Sequence, residues 1–235
     1  MMLSIVIPAY NEEPRLKKNI EKVISYLNTK PWSSEIIVVD DGSTDKTSEV
    51  ISEFKNSQIR FLKNEGNRGK GYSIKRGVLE ARGDLILCTD ADLSTPVEEL
   101  DKFLEYRDYD ILIGSRALKN SKIIIPQPLY REYAGKFFNL LVQITVMHGI
   151  KDTQCGFKLF KKPAAQKIFK QQTIRGFGFD VEILYIGKKL GYKIKEIPVN
   201  WSNNRDTKVK FLKHSFEMLI DLFRIRLNEF LGIYK

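Results

Sequence analysis

A mostly parallel β-sheet with helices on both faces is the fold this sequence predicts, and three observations lead to it. Short β-branched runs alternate with stretches of helical periodicity, the mark of an α/β chain. The helical stretches open with proline or with Ser/Thr/Asp clusters, which suit first helical turns and N-caps. Unusual polar clusters fall just after the β-branched runs, where the carboxyl ends of parallel strands carry functional loops. The 235 residues are 43% hydrophobic and 29% charged, which excludes a disordered chain and a pure coiled coil. One large domain of this length buries about 70% of its unfolded surface.

In chain order, Leu3–Ile7 reads as the first strand, closed by Pro8. Ile20, Val23, Ile24 and Leu27 follow Pro14 at helical spacing and predict the first helix. Glu35–Val39 is the second strand, and Ser43-Thr44-Asp45 caps a helix running through Phe54. Ile59–Leu62, Leu85–Thr89 and Asp110–Ile113 are further strands, with a helix from Ser94 or Thr95 through Tyr106. A hydrophobic helical stretch covers Glu132 to His148, then comes a loop, Asp152–Phe157. A last strand, Lys193–Val199, precedes a polar loop, Ser202–Lys208, and an amphipathic stretch to the end.

The net charge of +10 is unevenly spread: residues 1–150 carry 21 basic and 21 acidic side chains, residues 151–235 carry 18 and 8. A basic last third calls for an anionic partner, whether nucleic acid, an anionic membrane surface or a phosphorylated substrate. Two cysteines, Cys88 and Cys155, make no disulfide framework and have no metal-ligand spacing, so buried thiols in a reducing compartment are expected. The N-terminus lacks the basic start and length of a signal peptide, and Asn139 and Gln143 interrupt the longest apolar stretch, Phe137 to Met147. That stretch is well short of the ~18 apolar residues of a membrane span. A cytoplasmic protein is the expectation.

The chemistry is expected at four strand ends: Pro8-Ala9-Tyr10-Asn11-Glu12, Asp40-Asp41-Gly42-Ser43, Asn67-Arg68-Gly69-Lys70-Gly71 and Asp90-Ala91-Asp92. Each alone is an adequate turn. Four at one sheet edge are harder to read as turns only. In an extended segment, residues i and i+2 project to the same side, which aims the carboxylates of Asp90 and Asp92 at one point. Their repulsion is relieved by a cation, and hard oxygen ligands suit Mg²⁺ or Mn²⁺ completed by water and phosphate oxygens. No Gly-x-Gly-x-x-Gly follows the first strand, which argues against a dinucleotide-binding Rossmann site.

These motifs, with Ala81-Arg82-Gly83-Asp84, Asp90 through Pro96 and Gly114-Ser115-Arg116, resemble in order and spacing those of family-2 inverting glycosyltransferases with the GT-A fold. Asp152-Thr153-Gln154-Cys155-Gly156-Phe157-Lys158-Leu159-Phe160 and Gly176-Phe177-Gly178-Phe179-Asp180-Val181-Glu182 resemble the polyprenyl-phosphate branch, dolichyl-phosphate β-glucosyltransferases in particular. The resemblance runs from about residue 3 to residue 227 and implies one catalytic domain over 1–235. Within it, 1–117 would bind the nucleotide sugar, 118–208 the acceptor, and 209–235 would form an amphipathic helix.

Carried over residue by residue, the resemblance implies that Pro8, Tyr10, Glu12 and Asp41 hold the nucleoside, Asp41 near the base and Glu12 near the ribose. Asp90 and Asp92 would bind the metal, Gly69 and Lys70 would line the diphosphate, and Arg116 would contact phosphate. Asp152, Asp180 and Glu182 match acidic positions near the sugar and acceptor, so the implied catalytic set is Asp92, Asp152, Asp180 and Arg116. Ser94 stands where mannosyl relatives commonly carry Gln, which favours a UDP-hexose, UDP-glucose first, over GDP-mannose.

The implied reaction is an in-line displacement at sugar C1 by a dolichyl or polyprenyl phosphate. A phosphate nucleophile is largely ionised at neutral pH, its second pKa being about 6, and needs no strong base. A sugar-hydroxyl acceptor would instead require Asp152 or Asp180 to take its proton. Arg131, Arg205 and Lys208 are candidates to receive the acceptor phosphate. In the C-terminal stretch Lys210, Lys213, Glu217, Asp221, Arg224 and Asn228 form one stripe, and Leu212, Phe216, Leu219, Phe223, Leu227 and Phe230 another. The apolar stripe suits either the catalytic domain or the bilayer, with the protein peripheral on the cytoplasmic membrane face. A nucleic-acid-binding module would use the basic third through phosphate contacts, but Asp90 and Asp92 would repel that backbone. The expected partners are therefore a nucleotide sugar, a polyprenyl phosphate and a membrane surface, with no nucleic acid. His148 and His214 are expected on helix surfaces rather than as ligands.

Overall fold

The computed structural model describes residues 1–204 and 211–235. Its centre is a seven-stranded sheet, built from β1 (Met2–Ala9), β2 (Ser33–Asp40), β3 (Ile59–Lys63), β4 (Leu85–Cys88), β5 (Ile111–Ser115), β7 (Lys158–Lys161) and β8 (Ile194–Pro198). The spatial order is β3-β2-β1-β4-β7-β5-β8. All neighbours pair in parallel except β7, which runs antiparallel to β4 and β5. A separate ribbon pairs β6 (Lys122–Ile125) with β9 (Asn200–Ser202).

Burial explains why these segments are strands. Ile36, Ile37, Val38 and Val39 of β2 are each 0% exposed, the pattern of a strand covered on both faces. Val6, Ile37, Val39 and Ile86 belong to one core cluster, while Leu3, Ile5, Ile7, Ile36 and Val38 belong to the other. α1 (Glu13–Asn28) packs Leu16, Ile20, Val23 and Leu27 into the second cluster, and α3 (Lys70–Glu80) packs Ile74 and Val78 into the first.

The remaining helices are α2 (Thr47–Ser52), α4 (Leu100–Phe103), α5 (Leu129–Thr145), α6 (Lys162–Gln171), α7 (Phe179–Lys189) and α8 (Phe211–Phe230). The helix expected from Ser94 is instead a 3₁₀ turn at Val97–Glu99 leading into α4. α5 begins three residues before the expected start, with Pro128 at its N-cap. The sequence reading lacked α3, β6, β7, β9, α6 and α7. β7 has only four residues, and its sheet position depends on antiparallel partners distant in sequence, which no local periodicity reports.

No helix among the described residues is long and apolar enough to cross a membrane. Cys88 and Cys155 are buried free thiols, and burial pushes the Cys88 thiol up to about 12.

Candidate active site

The parallel run β3-β2-β1-β4 brings the four polar clusters to one sheet edge. They line a cleft of about 1080 Å³ that includes Pro8, Tyr10, Glu12, Asp41, Asn67 to Lys70, and Asp90 to Asp92. Residues 173–177 and one face of α8 form the opposite wall.

The first two clusters interlock. Asn11, held at a φ of 54°, accepts the amide of Thr44 through its side chain at 2.8 Å, and its own amide donates to the Ser43 hydroxyl at 2.9 Å. Asp40 is fully buried and accepts from the Ser43 amide and hydroxyl, which holds the turn. Asp41 organises the third cluster: its carboxylate accepts the amides of Arg68 (3.0 Å) and Gly69 (2.8 Å) and the side-chain amide of Asn64 (2.8 Å). Three of about four lone-pair positions are thus used. Gly69 has a φ of 99°, and a side chain there would meet the Arg175 carbonyl, so glycine is required where the loop enters α3. Glu12 forms a two-point ion pair with Arg15, one arm at 2.9 Å.

β4 ends at Cys88, so Asp90 and Asp92 sit in the turn beyond the strand, with Leu93 at a φ of 48°. Both line the cleft, and the turn that brings them there is held by anchoring rather than by strand alternation. Asn19 of α1 donates to the Ala91 carbonyl at 2.8 Å, and Asp92 accepts the Ser94 amide at 2.9 Å. Burial, then the neighbouring Asp90 charge, raises the pKa of Asp92. Burial disfavours the Asp90 anion as well, but Lys70 at 2.6 Å, with the charges of Lys158 and Arg116 behind it, holds its carboxyl below the usual range. Two carboxylates in one cleft, one of them destabilised by the other, are a donor set that fits a hard divalent cation. No group of three or more His, Cys, Asp or Glu that could hold a metal occurs among the described residues, so most of the coordination shell would come from water and ligand.

Arg116, Asp152 and Asp180 do not line the cleft. Arg116 grips Asp152 through Nε (2.7 Å), Nη2 (2.8 Å) and its backbone amide (2.8 Å), and its guanidinium lies 5.3 Å from the Trp201 ring. The guanidinium expected to contact phosphate is committed to this pair. Asp152, 6% exposed, is disfavoured as an anion by burial, yet Arg116 holds its pKa below the ordinary value. A carboxylate so stabilised is a weak base for a hydroxyl acceptor. A depressed folded-state pKa contributes stability above the unfolded pKa of about 3.9, which is lost as pH falls through the folded value. Asp152→Asn should therefore destabilise strongly at pH 7, and the gap from wild type should narrow by pH 3. Urea unfolding at both pH values checks this, and an equal gap would contradict it.

Asp180, 2% exposed, pairs with the equally buried Lys158. Glu182, 0% exposed, accepts the amides of Thr173 (2.9 Å) and Ile174 (2.8 Å) and the hydroxyls of Thr173 (2.7 Å) and Tyr234 (2.8 Å). It ties the cleft-lining 173–174 segment to the chain's end. Arg131, on α5, is also outside the lining; its buried Nε has no hydrogen-bond partner, and its guanidinium lies 5.9 Å from the Tyr130 ring. Arg205, Lys208 and Lys210 lie outside the described residues.

The polar stripe of α8 faces the donor motifs: Lys213, Glu217, Asp221, Arg224 and Asn228 all line the cleft. His214 joins them, with its ring 4.8 Å from that of Phe177. Leu222 and Ile225 pack the helix onto the core. The expected apolar stripe divides: Leu219 is partly buried against the core, whereas Phe216, Phe223, Leu227 and Phe230 are exposed, Phe230 at 87%. α5 packs beside α8 and exposes Leu129, Tyr133, Phe137, Leu140 and Ile144. Sequence reading missed Arg175 and its role in the wall; its guanidinium and that of Arg68 lie 5.9 and 4.8 Å from the Tyr72 ring. The available signal was its place directly before the Gly176-Phe177-Gly178 motif.

The model of glycosyl transferase family 2 matches residues 4–169. The dolichyl-phosphate β-glucosyltransferase of Dictyostelium discoideum is 40% identical over 99% of this chain and 76% of its own length. The human protein of the same name is 36% identical over 99% of this chain and 77% of its own. Among solved structures, mannosyl-3-phosphoglycerate synthase from Rubrobacter xylanophilus superposes with a TM-score of 0.72 at 18% identity, covering 97% of this chain and 74% of that one. Glucosyl-3-phosphoglycerate synthase from Mycobacterium tuberculosis, solved with Mn²⁺, UDP-glucose and glycerol 3-phosphate, gives 0.67 at 19% identity, covering 95% and 79%. These structures share the fold.

Proposed function

This chain belongs to glycosyl transferase family 2 and is a glycosyltransferase, and from that premise we propose that it transfers glucose from UDP-glucose to dolichyl or polyprenyl phosphate at a membrane surface. The observation that carries this reading is the double character of α8. Its polar stripe walls the cleft that holds the donor motifs, and beside it Phe216, Phe223, Leu227 and Phe230 stand bare. A lipid phosphate has matching chemistry, a charged head for a polar cleft and an apolar tail for the surface around it.

In this reading Pro8, Tyr10 and Glu12 hold the nucleoside, and Asp41 shapes the Arg68-Gly69 turn against the base. Asp90 and Asp92 hold Mg²⁺ or Mn²⁺, which supplies Lewis-acid neutralisation of the leaving diphosphate. Lys70 lies beside the same diphosphate. Because the attacking phosphate is already anionic, the chain's residues need to orient it and exclude water rather than remove a proton. Arg131 is the described candidate for that phosphate, with Arg205 and Lys208 as further candidates. Arg116 acts by fixing Asp152 and the loop that follows.

The direct test is incubation with dolichyl phosphate and either UDP-glucose or GDP-mannose, with Mn²⁺ present. Glucosylated lipid is expected from the first donor, and mannosylated lipid alone would overturn the donor assignment. Because a ligand that binds only the folded state stabilises it by mass action, UDP with Mn²⁺ should raise the melting temperature more than GDP does at equal concentration. Equal shifts would remove the case for uracil recognition.

The membrane part has its own test. Full burial of a Phe side chain contributes roughly 1.5–3 kcal/mol, so Phe223→Asp with Phe230→Asp should cut co-sedimentation with anionic phosphatidylserine vesicles by about tenfold or more. UDP affinity should stay unchanged. Wild-type sedimentation of the double variant would sink the membrane assignment.

A further inference from the structure

The pair of Lys158 on β7 and Asp180 on α7 is sealed in the core, 1% and 2% exposed, yet two routes lead from it to Asp90. The first is electrostatic. Lys70 lies within the fields of both Asp90 and Asp180, so the charges alternate from core to cleft as Lys158, Asp180, Lys70, Asp90. With Lys158 donating to Asp180, the burial cost of Asp180 is partly offset, though its carboxyl still lies above the usual range, and Lys70 stays on Asp90 at 2.6 Å. Without that ammonium, a buried carboxylate lacking its partner would compete for Lys70.

The second route is steric. The same Nζ donates to the Cys155 carbonyl at 2.6 Å, which pins the turn at Gly156. That glycine faces the Asp90 carboxylate so closely that an added methyl would overlap its oxygens. Backbone and carboxylate thus fit only while the turn keeps its place.

We propose that Lys158 is a positioning residue that fixes, from inside the core, the orientation of the Asp90 carboxylate toward the donor's metal and diphosphate. It touches neither ligand and acts through Lys70 on one side and Gly156 on the other. The inference rests on the donor-site reading of Asp90, and it adds a residue to that site that does not line the cleft.

Calorimetric titration of the full chain with UDP, once in Mn²⁺ and once in EDTA, tests it on four proteins: wild type, Lys158→Met, the double variant Lys158→Met/Asp180→Leu, and Asp90→Asn. The double variant removes both charges and leaves no buried ion unpaired, so it keeps a folded protein available even where Lys158→Met alone does not fold. Partners that orient a metal ligand typically carry about 10–100-fold in metal affinity. Lys158→Met, where it folds, should accordingly bind UDP about tenfold or more weakly in Mn²⁺, and the double variant, in which Asp180 no longer draws on Lys70, should still lose about threefold or more through the freed Gly156 turn, each with less than about a twofold change in EDTA. A merely structural Lys158 would weaken both titrations equally, and that result overturns the inference. So does wild-type affinity in Mn²⁺ for either folded Lys158 variant while Asp90→Asn loses it. If Asp90→Asn itself keeps wild-type affinity in Mn²⁺, the donor-site reading fails, and the role of Lys158 falls with it.

Discussion

Asp90→Asn is expected to lower Mn²⁺-dependent glucose transfer by about 10³-fold, because it removes the proposed metal-ligand charge and the partner of Lys70 in one change. Asp92→Asn should cost about as much if, as proposed, the two carboxylates share one cation. The amide is isosteric, so both variants should stay folded: Asp92→Asn should melt at or slightly above wild type, because the fold disfavours its charge, whereas Asp90→Asn should melt lower, because it leaves Lys70 without its partner. Excess EDTA should silence the wild-type enzyme and restored Mn²⁺ should recover it. Full turnover in the Asp90→Asn/Asp92→Asn double variant, or in wild type under chelator, would remove the metal from the mechanism.

The largest effect on stability is expected at Glu182. Its carboxylate accepts from the part-buried amide of Thr173, the buried amide of Ile174 and two hydroxyls, and an unsatisfied buried donor costs about 1–3 kcal/mol. Glu182→Ala should therefore destabilise by about 4 kcal/mol, which for a domain of this size lowers Tm by about 10 °C. Because Glu182 holds the Thr173 and Ile174 segment of the cleft wall, the surviving folded protein should also bind UDP less tightly. A Tm within about 2 °C of wild type would show that these hydrogen bonds are replaced by water.

How much was legible follows from the range over which each signal acts. The donor half was readable because each cluster ends a strand and every one of those strands runs the same way, so one local pattern repeated four times fixes a common edge. Asp90 and Asp92 both line one cleft, but the strand alternation expected to bring them together ends before them at Cys88. They occupy a turn beyond the strand, which Asn19 holds at Ala91 and Ser94 at Asp92. Arg116 and Asp152 were readable as functional residue types; that they satisfy one another through three hydrogen bonds was not, since 36 residues separate them.

Periodicity by itself determined the α/β class and the two stripes of the last helix, and the order of the motifs, by resemblance, determined the family. Those properties are local or repeat along the chain. Tertiary structure alone decided which stripe of α8 meets the cleft, which packs on the core and which stays bare, because a helix with three different faces has no preferred neighbour until the sheet supplies one. It likewise decided that β7 enters antiparallel between β4 and β5, and so that Lys158 meets Asp180 beneath Asp90. A buried charge finds its partner only when distant segments close around it, and no spacing within the chain records that meeting.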